Sequence, residues 1–319
     1  MNAAVLPASL QANPRLSTWL RIARDGHAVV SSGKVELGQG ILGALAQIAA
    51  EELGLRPDQV RMAPAVTGAS PDEAVTSGSL SVQHSGAALR HVCAQARALY
   101  LARAAALHGV DAAALQVVEG DIVLGDRRIA RYWDIADPAL LEVDAVPGVA
   151  LRPAERYTLV GQAQPRGDIA DKVFGEFVFI HDLVLPAMAH GRIVRPPSPD
   201  AVLERCDEDA VRALDGVVAV LRDGSQLGVV AETEAAAERA AARLAKACTW
   251  SETDSLPDAD ALRPWLQSRP STLLPLRQAT PVGGAVRTLA ASYAKPFVRH
   301  ASIGPSCALA LFDDDTLEM

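Results

Sequence analysis

The sequence predicts an α+β fold built in two units. Three observations carry this: short strand-like runs that meet at glycine-containing turns, two long stretches with a helical period in the first half, and a change of pattern after a proline-containing stretch at 136–156. In the first unit, Trp19–Ile22 and Ala28–Ser31 flank Asp25-Gly26, a hairpin signal. Ile41, Leu45, Ile48 and Leu53 then fall on one helical face, and Gly54 stands where a helix C-terminus needs a left-handed residue. Arg56-Pro57-Asp58-Gln59 reads as a turn before the strand Val60–Met62. A longer helix is predicted from Gly86 to Leu107 on the period of Leu89, Val92, Ala96, Leu99 and Arg103, with Arg90 and Arg97 on its exposed side and Gly109 beyond its end. Leu115–Val118 and Ile122–Leu124 make a second small hairpin around Gly120.

The second unit reads as a β-β-α-β-β-α module. Its strands are Phe174–Ile180, Ala187–Val194, Val217–Leu221 and Leu227–Ala231, the last two joined at Asp223-Gly224, and its helices span 207–214 and 234–247. Five prolines in 251–285 suit a surface connector. After it, Ser292-Tyr293 and Ala308–Phe312 look like strands. The boundaries so drawn are 1–150, 151–250, a connector at 251–290, and a last piece at 291–319.

Composition narrows the function. Of 319 residues, 50% are hydrophobic and only 4% aromatic, a globular rather than disordered profile. The 38 acidic against 30 basic residues leave a charge of −8, which repels phosphate backbones and argues against nucleic acid as a partner. No apolar run reaches the roughly 18 residues of a transmembrane helix. The first 30 residues hold Pro7, Asn13, Pro14 and the charged run from Arg21 to Asp25 where a signal peptide would be apolar, so a cytoplasmic location is expected. Cys93, Cys206, Cys248 and Cys307 form no C-x-x-C pair and read as separate, buried, reduced thiols.

Two loops could carry chemistry. Gly33-Lys34-Val35-Glu36-Leu37-Gly38-Gln39-Gly40 feeds directly into the helix at Ile41, and free N–H groups at a helix start, with glycines that admit a ligand, suit an anion. Gly38, Gly40 and Gly43 also satisfy G-x-G-x-x-G with Asp58 about twenty residues on, but Asp58 precedes its strand instead of ending one, so the dinucleotide fingerprint is a decoy. The glycines can equally serve a tight turn alone. The second loop, Thr76-Ser77-Gly78-Ser79-Leu80-Ser81, offers uncharged hydroxyl donors just before the long helix; capping that helix is its other reading. Glu36 reads as a solvated or paired residue, and His84, His91 and His108, without a second ligand at helical spacing, as surface or packed histidines.

The run from Gly33 to Glu52, with Gly38-Gln39-Gly40 followed by Gln47-Ile48-Ala49-Ala50-Glu51-Glu52-Leu53, resembles the Gly-Gln-Gly loop and helix of the molybdenum-binding subunit of the xanthine dehydrogenase and aldehyde oxidase family. Thr76–Ser81 with Gly86 resembles that family's second pterin-binding segment. Pro165–Asp168 to Asp171–Gly175, with Met188–Pro197, resembles the opening of its α/β hammerhead domain. Tyr293–Ala310, with His300-Ala301-Ser302 and Gly304-Pro305-Ser306, resembles the segment that re-enters the molybdopterin domain. The order of these pieces is similar to the nicotinate dehydrogenase and isoquinoline oxidoreductase branch.

The resemblance implies a partial molybdopterin-binding domain over 1–150, an α/β hammerhead domain over 151–250, and at 291–319 the start of the second part of the molybdopterin-binding domain. It implies hydroxylation of a heteroaromatic or aldehyde carbon with water-derived oxygen, on molybdopterin in its cytosine dinucleotide form. Electrons would leave through iron–sulfur clusters in a partner chain. By position, Gln39 matches the glutamine that contacts the pterin, Gly38 and Gly40 permit backbone approach, and Thr76, Ser77, Gly78, Ser79 and Ser81 fall in the cofactor segment. The family's later glycine-rich loop and Val-Gly-Glu motif, whose glutamate is the base, have no counterpart before Met319. No catalytic or metal-ligating residue is therefore assigned, and the isolated chain is expected to be inactive and to need both an iron–sulfur subunit and the missing part of the domain. Two other readings stand beside this one: a non-catalytic binding or scaffold remnant of the family, and an NAD-dependent oxidoreductase, which requires a parallel sheet around Gly38–Gly43.

Overall fold

The computed structural model describes residues 5–272, 274, 283–284, 287, 289–296, 298, 301–313 and 315–319. The chain divides into two compact units, Met1–Phe177 and Val178–Met319. His300 of the predicted re-entry segment, and most of 275–288 in the predicted connector, lie outside the described residues.

In the first unit, a short helix α1 (Ala8–Ala12) precedes the hairpin of β1 (Leu20–Ile22) and β2 (Ala28–Val30), turned at Gly26. Helix α2 (Ile41–Leu53) ends at Gly54, in the left-handed region at φ 73°, and leads into β3 (Val60–Met62). Strand β3 lies parallel to β2, so β2, α2 and β3 form a β-α-β crossover. Helix α3 (Ala87–His108) is entered through a π turn at Val82–Gly86 and stops at Gly109. Its inner face carries Leu89, Val92, Cys93 and Ala96, all fully buried, against Leu45 and Ala49 of α2. Small residues let the two helices close up: a Cβ at Gly86 would stand 3.0 Å from Ile48 Cδ1. A meander of β4 (Leu115–Val118), β5 (Asp121–Leu124) and β6 (Arg127–Arg131) closes one end of the core. Here the Tyr132 hydroxyl donates to Leu53 O at 3.0 Å.

Arg90 and Arg97 are not the solvent-facing residues expected. Both reach the fully buried Glu52 carboxylate, Arg90 at 3.1 Å and Arg97 at 3.2 Å. Beside it, the buried Glu51 accepts from the N–H groups of Thr158, Leu159 and Val160, which fastens residues 152–160 to α2. The first unit closes with α4 (Ile169–Phe174), ended by Gly175 at φ 75°. The strand predicted at Phe174–Ile180 therefore does not form: its first residue ends a helix, and the run beyond Gly175 belongs to none of the sheets among the described residues.

In the second unit, β7 (His190–Val194) occupies only the end of the predicted Ala187–Val194 strand. It is followed by β8 (Val202–Cys206), α5 (Asp209–Arg212), β9 (Val217–Asp223), β10 (Gln226–Ala231), α6 (Glu234–Lys246) and β11 (Cys248–Ser251). The element order is again β-β-α-β-β-α, but β7 is the predicted second strand, the predicted first one does not form, and β8 is a strand not predicted from the sequence. Strand β10 is central in an antiparallel β7-β10-β9 sheet, and β8 pairs with β11 in a separate ribbon. Thr233 caps α6 through the Ala236 N–H, and Ala240 and Leu244 of that helix pack with Val211, Leu227 and Val229. A short α7 (Leu262–Gln267) and a hairpin of β12 (Leu311–Asp313) with β13 (Thr316–Glu318) complete the described elements; Ser292-Tyr293 is not a strand.

Candidate functional site

Both predicted loops belong to the first unit and are stitched together. The loop at 33–40 leaves β2 and ends at α2, and the loop at 65–81 leaves β3 and ends at the π turn before α3. The Val35 N–H donates to Thr76 Oγ1 at 3.0 Å. The buried Lys34 ammonium donates to the carbonyls of Glu73 (2.6 Å) and Val75 (3.0 Å). Ser32 Oγ donates to Glu73 Oε2 at 3.0 Å and lies 2.8 Å from Ser85 Oγ of the π turn. Gly33 N also donates to Glu73 Oε2 at 3.0 Å, and no side chain fits at Gly33, where a Cβ would stand 2.2 Å from Pro71 O.

Glu73 is the residue that sequence reasoning missed. It is nine-tenths buried, and its Oε1 has no hydrogen-bond partner among the described residues. It borders a cleft of about 380 Å³ together with Gly33, Val35, Thr67, Pro71 and Ala74. A charged residue in Pro71-Asp72-Glu73 reads as exposed by default, so no local signal marks it.

The predicted anion site at the start of α2 is already filled. Glu36, expected to be solvated or paired, turns its carboxylate onto the N–H groups of Gly38 (2.9 Å), Gly40 (2.8 Å) and Leu42 (3.4 Å). Burial works to raise its pKa, but the N–H groups of Gly40, Leu42 and Gly38 and the nearby Arg166 charge outweigh burial and hold the carboxyl below its ordinary value. Arg166 spans the loop from outside, donating to Gly38 O at 2.8 Å while forked onto Asp168. Hydrogen bonds from Arg166 and Lys172 hold Asp168 well below the usual carboxylate range.

Gln39 is exposed, and its amide closes on its own loop, accepting from Leu37 N at 2.5 Å and donating to Val35 O at 3.1 Å. Gly38, at φ 99°, has open space where a side chain would stand. In the second loop, Ser77, Gly78 and Ser79 are turned to solvent or partly so, and Gly78 (φ 68°) and Ser79 (φ 56°) are left-handed, a conformation that costs a serine and is held by its surroundings. Ser81 begins the π turn and caps nothing through its side chain, so the capping reading of this loop is not realised there. Ser32, Lys34 and Glu73 thus form a buried, hydrogen-bonded frame joining the two loops, on which Gln39, Ser77 and Ser79 are exposed polar side chains.

His91 is packed, its Nε2 2.8 Å from Val146 O, and the described residues hold no group of three His, Cys, Asp or Glu side chains that could bind a metal. Asp58 is paired with Arg56 at 3.0 Å in the turn before β3. The parallel β2–β3 pair supplies the sheet that the NAD reading required, but in strands of three residues with Asp58 tied outside it.

Residues 3–179 match the family described as molybdopterin cofactor-binding domain. The chain is similar to a nicotinate dehydrogenase subunit from Pseudomonas putida, 36% identical over 93% of this chain and 26% of that protein. It is also similar to an isoquinoline 1-oxidoreductase subunit from Brevundimonas diminuta, 28% identical over 72% of this chain and 34% of that one. A third relative, the membrane-bound aldehyde dehydrogenase (pyrroloquinoline-quinone) of Gluconacetobacter polyoxogenes, is 28% identical over 74% of this chain and 32% of its own length. The chain thus spans between about a quarter and a third of the relatives it matches. No helix among its described residues is long and apolar enough to cross a membrane.

Proposed function

The chain belongs to the molybdopterin cofactor-binding domain family, and from that premise we propose that it forms part of a molybdenum hydroxylase, contributing loops that hold molybdopterin. The observation that carries this reading is the stitching of the two loops, Val35 N–H to Thr76 Oγ1 and Lys34 Nζ to Glu73 O and Val75 O, which brings together segments about 40 residues apart. On that frame Gln39, Ser77 and Ser79 would hydrogen-bond the cofactor, Gly38 and Gly78 would leave room for it, and Thr76 and Ser81 would position the second loop. The phosphates of a cytosine dinucleotide form would lie away from the α2 terminus, because the Glu36 carboxylate repels a second anion there.

When bound, the cofactor would supply the redox chemistry that puts a water-derived oxygen on a heteroaromatic or aldehyde carbon. The residues of this chain bind and orient; none is assigned as acid or base. An iron–sulfur subunit and further molybdopterin-domain polypeptide are the proposed partners. Exposed Val173 and Phe174 in the first unit, and Leu311, Phe312 and Leu317 on the β12–β13 hairpin of the second, are apolar surface that such partners would cover.

A second reading is a non-catalytic binding remnant of the family, in which the Gln39 amide stays closed on its own loop. Both are tested on the chain purified with its iron–sulfur partner and the further molybdopterin-domain polypeptide by measuring molybdenum and pterin per chain and turnover of nicotinate, purine and aldehyde substrates. Cofactor with turnover, both lowered by Thr76→Val or by a combined Ser77→Ala and Ser79→Ala change, is the expected result. Cofactor without turnover selects the binding-only reading. A complex with neither molybdenum nor pterin sinks both.

A further inference from the structure

The four cysteines do not all read as separate thiols in the structure. Cys206 ends β8 and Cys248 begins β11, and the two stand directly opposite in the antiparallel ribbon. Their sulfurs are 2.8 Å apart, although the residues are 42 apart in sequence. We propose that Cys206 and Cys248 are a modification site, a dithiol that a peroxide oxidises to an intramolecular disulfide joining β8 to β11.

The backbone permits the bond without rearrangement. Opposed residues of an antiparallel pair have Cα atoms about 4.5 to 5.5 Å apart, within the roughly 4.4 to 6.8 Å a disulfide spans. The sulfurs need only approach from 2.8 Å to about 2.05 Å. Both side chains are partly exposed at the rim of the second unit's core, so a small oxidant reaches them. The Cys248 thiol donates to Leu244 O at 3.0 Å, which fixes it at the end of α6. Burial first, then the Cys206 thiol and the Glu208 carboxylate, push the Cys248 thiol up to about 12. With its thiol held against ionisation, Cys248 is assigned the second, resolving step.

The chemistry balances in two steps. Cys206 S–H takes one oxygen from the peroxide, giving a sulfenic acid and releasing the alcohol, or water from hydrogen peroxide. The Cys248 sulfur then attacks the Cys206 sulfur, the S–S bond forms, the S–O bond breaks, and the hydroxyl leaves as water with the Cys248 proton. Two thiol hydrogens are lost and one peroxide is reduced. Neither remaining cysteine completes such a pair: Cys93 is fully buried, where desolvation raises its thiol further, and Cys307 is exposed.

Titrating the full chain with hydrogen peroxide tests this. Thiols counted after denaturation should fall from the four of the sequence to two, with a mass loss of two hydrogens, no dimer on a non-reducing gel, and reversal by a dithiol. Closing the loop that holds α5, β9, β10 and α6 should raise the melting temperature of the second unit by roughly 10 °C. Cys206→Ser and Cys248→Ser should each abolish the cross-link. Should either fail to fold, Cys307→Ser keeps the pair intact and should fall from three thiols to one. Survival of every thiol, a peptide map joining any other two cysteines, or Cys206 driven to sulfinic acid beside a free Cys248 would overturn the proposal.

Discussion

The Val35 N–H donates to Thr76 Oγ1 at 3.0 Å, and this bond makes one structure of two loops that the sequence keeps about 40 residues apart. Beneath it, Gly33 lies so close to the second loop that its missing side chain is a condition of the contact.

Gly33→Ala is therefore expected to force the loops apart. A Cβ there would meet Pro71 O at 2.2 Å and Glu73 N at 3.0 Å, backbone atoms that cannot swing aside. Overpacking of this kind costs about 1 to 3 kcal/mol. Chemical denaturation of the purified chain measures it, and a variant as stable as the parent would show that the loops separate freely.

Glu36→Gln should cost about 1 kcal/mol, in the range of losing a helix cap, because the carboxylate accepts from three N–H groups at the start of α2. Its folded pKa lies below its ordinary value of 4.5. The unfolded state thus binds the proton more readily, so the contribution is complete above the unfolded value and disappears as pH falls through the folded one. The stability gap between parent and variant should be constant near pH 7 and narrow below about pH 5. A gap independent of pH down to full protonation would show that Glu36 acts through its shape and not its charge.

What was legible in the sequence was local. The period of Leu89, Val92 and Ala96 marked α3, and Gly54 and Gly109 marked helix ends, because each signal depends only on neighbours a turn away. The parallel β2–β3 pairing was not legible, since hairpin signals report adjacent strands and this pair is joined through α2. Strand β6 was hidden by Arg127, Arg128 and Arg131, and β8 and β11 by pairing with each other across 42 residues. At the site, the glycines and hydroxyl residues marked the two loops as candidates, and the family resemblance pointed to Gln39. The Glu36 cap, the buried Glu73 and the Arg166 brace were not, because charged side chains announce neither burial nor the backbone they will meet.

The same blindness concealed the ion cluster on α2. Glu52 is 1% exposed in its side chain and is held by Arg90, Arg97 and the Arg152 N–H. Glu52→Ala would leave Arg97, itself only 17% exposed, with backbone carbonyls but no carboxylate to balance its charge. Breaking a buried pair from one side costs about 3 to 5 kcal/mol. Glu52→Ala should accordingly lower the melting temperature steeply while the surface change Glu238→Ala does not. Equal stability of the two variants would mean that the cluster is solvated.

Gln39 decides whether the glycine loop serves a cofactor or only a turn. Its amide makes two bonds within the loop, to Leu37 N and Val35 O, from an exposed position. Removing exposed bonds of this kind costs little stability, on the order of 1 kcal/mol or less. A cofactor that borrows the amide, in contrast, would lose roughly 1 to 3 kcal/mol if a group were left buried and unsatisfied, about ten- to hundred-fold in occupancy. Gly40 serves as the folding control: its φ of 77° and the Arg166 side chain 3.3 Å from a Cβ make Gly40→Val a fold mutation under either reading. Gln39→Ala, purified in the complete assembly, should keep its melting temperature and lose molybdenum and pterin, while Gly40→Val loses the fold. Full cofactor content in Gln39→Ala at an unchanged melting temperature would assign the glycines to the turn alone.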